Sequence, residues 1–136
     1  GLASVFSKNK AKKISSGIIP NQKKQSFVEK AMLWIRGNVF IPDARVFWVK
    51  PSVKFLKKYL QENQIDTIIT TGPPHSLHLI GLQLKKELNI TWLADFRDPW
   101  TTIGYHKQLK LSSWADKKQK NLEKEVMTTC DQILVT

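Results

Sequence analysis

Apolar residues first recur at helical spacing over residues 26–37. Val28, Met32, Ile35 and Val39 repeat at intervals of three to four, with Phe27 and Trp34 beside them. Pro42-Asp43 then punctuates the chain, and Asp43 is suited to cap a short helical stretch running through Trp48. Pro51 suits the first turn of a second helix. The apolar side of that helix is Val53, Leu56 and Leu60, and its wet side is Lys54, Lys57, Lys58 and Gln61. From Ile65 the periodicity changes. Asp66 to Thr71 is short and β-branched, which predicts a strand. Gly72-Pro73-Pro74 breaks it, and His75 to Leu88 reads as a helix with Leu77, Ile80, Leu84 and Leu88 on one side. Thr91 to Phe96 predicts a second strand. Ser112 or Ser113 caps a helix to about Thr129, with Trp114/Ala115, Leu122 and Val126 expected inside. Gln132 to Val135 reads as a third strand.

Strands alternating with helices imply parallel pairing and right-handed crossovers. The expected fold class is therefore α/β, a Rossmann-like three-layer α/β/α arrangement on a short parallel sheet, preceded by a helical basic part. Residues 1–25 read as a flexible basic segment, and 26–136 as one partial domain. The chain opens on Gly1 rather than Met and stops at Thr136 within a strand-like run, so an excerpt of a longer protein is expected.

Composition sharpens this. The chain has 136 residues, 41% hydrophobic and 24% charged, a balance typical of a folded domain rather than a disordered one. The single cysteine, Cys130, excludes an intramolecular disulfide. The net charge is +11, which suits an anionic partner. That charge is lopsided. Residues 1–64 hold 13 Lys/Arg against 3 Asp/Glu, whereas residues 65–136 hold 9 against 8. No apolar run approaches the ~20 residues of a membrane span. Residues 26–41, flanked by Lys30 and Arg36, form an amphipathic segment that suits anionic lipid.

Candidate chemistry lies in the near-neutral half. In open parallel sheets, ligands bind beyond the carboxyl ends of the strands. Two loops sit at such ends. The first is Gly72-Pro73-Pro74-His75-Ser76, ahead of a helix whose N-terminal N–H groups suit a phosphate or sugar hydroxyls. The second, Asp95-Phe96-Arg97-Asp98-Pro99-Trp100, places two carboxylates, a guanidinium and an indole within six residues. Carboxylates accept from sugar hydroxyls, Arg takes phosphate or carboxylate bidentately, and Trp offers an apolar platform. An internal Arg97–Asp ion pair closing the loop would produce the same sequence. His75 and His78 are three apart, but no Cys or acidic cluster joins them, so no metal site and no cofactor are expected. Nucleotide-binding glycine loops and a nucleophile elbow are missing from the sequence.

The run from Ile68 to Ser76 (IITTGPPHS), a helix, and then Leu93 to Trp100 (LADFRDPW) resemble bacterial glycosyltransferase family 4. The stretch from Ile41 through Trp48 and the closing Ala115-Asp116 helix resemble it as well, so the likeness covers about residues 41–136. The resemblance implies a GT-B transferase of polysaccharide biosynthesis. Such an enzyme moves a sugar from a nucleotide-sugar to a saccharide or lipid-linked acceptor, with retention of configuration. It implies that this chain is part of the acceptor-side N-terminal domain. The donor-binding half and its carboxylate motif lie outside it, so the piece alone is not expected to catalyse transfer. On this reading Asp98, Arg97 and Asp95 are the catalytic candidates. Gly72, Pro73, Pro74, His75, Ser76 and Trp100 are the substrate-binding ones. Relatives often carry His where Arg97-Asp98 stands. A cytoplasmic location, peripheral at the inner face of the membrane through residues 1–64, is the accompanying expectation.

Two other classes compete: a basic nucleic-acid-binding module, and a Rossmann-like binding domain without activity. The charge lies outside both loop motifs and no nucleic-acid module is recognisable, which favours a membrane-facing or simply solvated surface. The site assignment expects Gly72–Ser76 and Asp95–Trp100 to open into one shared cleft, and it fails if they point to opposite ends of the sheet.

Overall fold

The computed structural model describes residues 27–102 and 109–135. Helix α1 spans Phe27–Asn38, and a single 3-10 turn, Val46–Trp48, leads into α2, Val49–Glu62. Strand β1 is Thr67–Gly72, α3 is Ser76–Glu87, and β2 is Thr91–Phe96. Helix α4, Ser113–Thr129, and strand β3, Gln132–Val135, complete the order. Pro51 lies in the first turn of α2, where a missing N–H costs little. Ser112 caps α4, its Oγ accepting from the Ala115 N–H at 3.2 Å.

The three strands form one parallel sheet in the order β1-β2-β3. The register pairs Thr67 with Thr91 and Gly72 with Phe96 along β1 and β2. It pairs Leu93 with Gln132 and Phe96 with Val135 along β2 and β3. The chain is thus the mixed α/β fold with a short parallel sheet that alternation of strand and helix predicts. The peptide bonds before Pro42, Pro73 and Pro74 are cis.

Side chains alternate across each strand. Ile68 and Thr70 of β1 share a face with Trp92, Ala94 and Phe96 of β2, and all three β2 residues are buried. Helix α3 covers that face and is itself buried on most sides. It approaches closely because Gly81 has no side chain: a Cβ there would stand 2.4 Å from the Trp92 indole. The Trp92 indole N–H donates to Thr70 Oγ1 at 2.9 Å, which satisfies the ring's polar edge inside the core. Helix α2 adds Val49, Val53 and Leu60 to the same cluster, and α4 adds Val126. The opposite face carries Ile69, 62% exposed, with Leu93, Asp95 and Leu134 in register beside it. Among the described residues no helix covers Ile69, so they form two layers where three were expected.

Several sequence expectations change here. In α1 only Gly37 and Asn38 are buried, and Phe27, Val28, Met32, Trp34 and Ile35 face solvent. Helical periodicity gave α1 an inner side, yet its buried residues lie in its last turn. The Asn38 amide donates to the Lys110 carbonyl at 3.3 Å, and its Oδ1 accepts the Ser112 N–H at 2.6 Å. Trp114 is exposed rather than buried, with Lys118 Nζ 4.9 Å from its ring centre, while Ala115 beside it is inside. Residues 1–25, read as a flexible basic segment, lie outside the described residues, as does His106.

Candidate functional site

The register places Gly72 beside Phe96, so the loops leaving β1 and β2 emerge together at the carboxyl end of the sheet. The Arg97 N–H donates to the Gly72 carbonyl at 3.0 Å, continuing the ladder one residue past the strands. Farther out, the His75 ring stacks on Trp100 with centroids 4.7 Å apart and planes 3° from parallel. The two loops the sequence singles out therefore meet.

Their roles differ within that meeting. Trp100 is fully buried, so its indole holds the loop rather than facing solvent. Its Nε1–H donates to Gln119 Oε1 at 2.8 Å, and the Gln119 amide donates to the Pro42 carbonyl at 3.1 Å. His75 and Ser76 are also buried. Arg97 and Asp98 are exposed, while the Asp95 carboxylate is mostly covered and lies 3.4 Å from Arg97 Nε. The ion pair that the sequence allowed thus forms with Asp95.

His78 is buried beneath this layer. It stacks on Phe96 with ring centroids 4.4 Å apart, and its Nδ1 lies 2.8 Å from Thr70 Oγ1. The Trp92 indole donates to the same oxygen, which as a hydroxyl can donate to Nδ1 or accept a second hydrogen bond from it, so this contact serves either neutral tautomer of His78. Burial first, then the charge of His75, lowers the His78 pKa to about 4, against an opposing pull from Asp95. The imidazole is therefore neutral near pH 7. Gly72 exists beside it for a steric reason: a Cβ there would meet His78 Nε2 at 2.5 Å.

The N-terminus of α3 was expected to offer N–H groups to a bound anion. The protein fills that position itself. Asp43 Oδ2 accepts the Ser76 N–H at 2.8 Å, and Asp43 Oδ1 accepts the Arg45 N–H at 2.9 Å. The next two amides, Leu77 and His78, donate to the Pro74 and His75 carbonyls at 3.1 and 3.0 Å. Asp43 therefore caps a helix 33 positions later in the chain as well as its own turn. Its proximity in sequence to the 3-10 turn showed only the second role.

A cleft of about 580 Å³ opens next to this corner. Pro73, Pro74 and His75 line it together with Asp43, Arg45 and Arg36 of α1. Asp95, Arg97, Asp98 and Trp100 do not line it. Sequence reasoning placed neither Arg36 nor Arg45 in the site, and only the tertiary structure brings them to it. Among the described residues no group of three or more His, Cys, Asp or Glu is placed to hold a metal ion. No described helix is long and apolar enough to cross a membrane. Comparison with protein-family models, with curated proteins and with solved structures returned no match.

Proposed function

We propose that this chain supplies the acceptor-side wall of a glycosyltransferase of the family 4 kind, acting with a donor-binding half beyond it. The observation that carries the reading is the convergence of Gly72–Ser76 and Asp95–Trp100 at the carboxyl end of adjacent parallel strands. That is where open α/β sheets bind ligands. The resemblance in both loops supplies the reaction class.

In the proposed reaction a glycosyl group leaves the phosphate of a nucleotide-sugar and bonds to an acceptor hydroxyl. The hydroxyl proton passes to the departing nucleoside diphosphate. Asp98, exposed at the loop tip, orients the acceptor hydroxyl as a hydrogen-bond acceptor. Arg97 stands beside it for a phosphate oxygen, and Asp95 fixes the Arg97 side chain. Pro73, Pro74 and His75 shape the adjoining cleft, in which Arg45 and Arg36 add positive charge. The acceptor is a saccharide or a lipid-linked saccharide, and no metal or other cofactor takes part.

The test uses the protein that carries this chain together with its donor-binding half. Nucleoside diphosphate release is followed with uridine- and guanosine-based sugar donors and with saccharide or lipid-linked acceptors. Asp98→Ala is expected to lower turnover about a hundredfold or more, the scale of a positioned polar group in catalysis, with an unchanged melting curve. Wild-type turnover in that variant would overturn the assignment of Asp98. Absence of nucleoside diphosphate release with every donor would overturn the reaction class.

A further inference from the structure

Helix α2 carries two stripes, and only one belongs to the core. Val49, Val53, Leu56 and Leu60 pack inward. On another side Trp48, Phe55 and Tyr59 follow one another at intervals of seven and four, which brings them onto one line down the helix. That line is about 17 Å long at 1.5 Å per residue. All three are open to solvent, at 58%, 66% and 46%, and Phe47 just before them is 71% exposed. Isolated exposed apolar residues are ordinary, whereas aromatic rings aligned along a helix mark a contact surface.

Charge identifies the partner. Residues 45–62 hold five basic side chains, Arg45, Lys50, Lys54, Lys57 and Lys58, against one acid, Glu62. Lys54 and Lys58 border a shallow recess of about 450 Å³ together with Phe55 and Tyr59. Lys57 is engaged with Glu87 at 2.8 Å, and Lys58 with Glu62 at 3.6 Å, whereas Lys50 and Lys54 form no ion pair among the described residues. Protein interfaces enrich aromatics but deplete lysine. Membrane interfaces combine the two, with rings at the headgroup level and lysines reaching the lipid phosphates. Nucleic acid would need open ring faces for base stacking. Here Phe55 and Tyr59 stack on each other at 6.0 Å, and the Arg45 guanidinium lies 5.3 Å over Trp48. The faces are partly occupied within the chain.

We infer that the Trp48–Phe55–Tyr59 line with its flanking lysines docks on an anionic lipid surface. The inference stands apart from the sugar-transfer reading, since it needs no donor, acceptor or turnover. It narrows the membrane contact expected of residues 1–64 as a whole to named rings and lysines at α2.

The experiment is vesicle co-sedimentation of the full 136-residue chain at ~150 mM salt. Vesicles of phosphatidylcholine alone are compared with vesicles containing phosphatidylglycerol. A fluorescent single-stranded oligonucleotide is titrated in parallel. Binding is expected to need phosphatidylglycerol. Lys54→Glu/Lys58→Glu is expected to weaken it by tenfold or more, given about fivefold per lysine near an anionic surface. Phe55→Ser/Tyr59→Ser keeps the charge and is expected to weaken it comparably. Both pairs are exposed, and circular dichroism melts check that they fold. Wild-type vesicle binding by the Phe55→Ser/Tyr59→Ser variant would overturn the assignment. So would failure of the wild type to sediment with anionic vesicles, or tighter binding to the oligonucleotide that these substitutions abolish.

Discussion

Gly72→Ala tests how the carboxyl end of the sheet is built. The new methyl would stand 2.5 Å from His78 Nε2, 3.0 Å from His78 Cδ2 and 3.2 Å from His75 Nδ1. Neither ring can swing away freely. His75 is stacked on Trp100, and His78 is held by Phe96 and by Thr70 Oγ1. Overpacking of a filled interior costs about 1–3 kcal/mol. For a domain of this size that corresponds to a melting temperature lower by roughly 3–15 °C. The assay is thermal unfolding followed by far-ultraviolet circular dichroism, in wild-type and His78→Ala backgrounds. If the cost arises from the clash with His78, Gly72→Ala is expected to lose most of its effect once the imidazole is gone. An equal melting shift in both backgrounds would refute the steric argument, as would a Gly72→Ala protein that melts with wild type.

Three further outcomes follow from the same corner. The His78 pKa falls from 6.5 to about 4 in the fold, so the unfolded chain binds its proton first as pH drops; stability is full above pH 6.5 and declines through pH 4 by roughly 3 kcal/mol. Urea unfolding across that range, compared with His78→Ala, checks it, and an unchanged slope in the variant would remove His78 as the cause. Gln119→Leu strands the Trp100 indole N–H and the Pro42 carbonyl, and is expected to cost about 2–4 kcal/mol in the same assay. Asp43→Ala removes the acceptor for the Ser76 and Arg45 N–H groups and is expected to cost about 1–2 kcal/mol, whereas a surface-only role for Asp43 predicts a change within error.

The sequence by itself determined the elements and their order. β-branched runs, glycine-proline breaks and leucines spaced three to four apart are local signals. They set β1, α3, β2, α4 and β3 within a residue or two, and alternation set the parallel pairing. It also put both loop motifs at one end of the sheet, because parallel strands share a direction. Only the tertiary structure decided what each loop residue does. Trp100 looked like a platform and is a buried strut, because Gln119, nineteen residues on, accepts its indole proton. The α3 N-terminus looked open to an anion and is capped by Asp43 from 33 residues upstream. The apolar side of α1 and the Trp114 ring of α4 looked internal and are exposed. Periodicity records that a face is apolar, but burial depends on whether another segment arrives to cover it. That is a long-range fact, which neither spacing nor composition encodes.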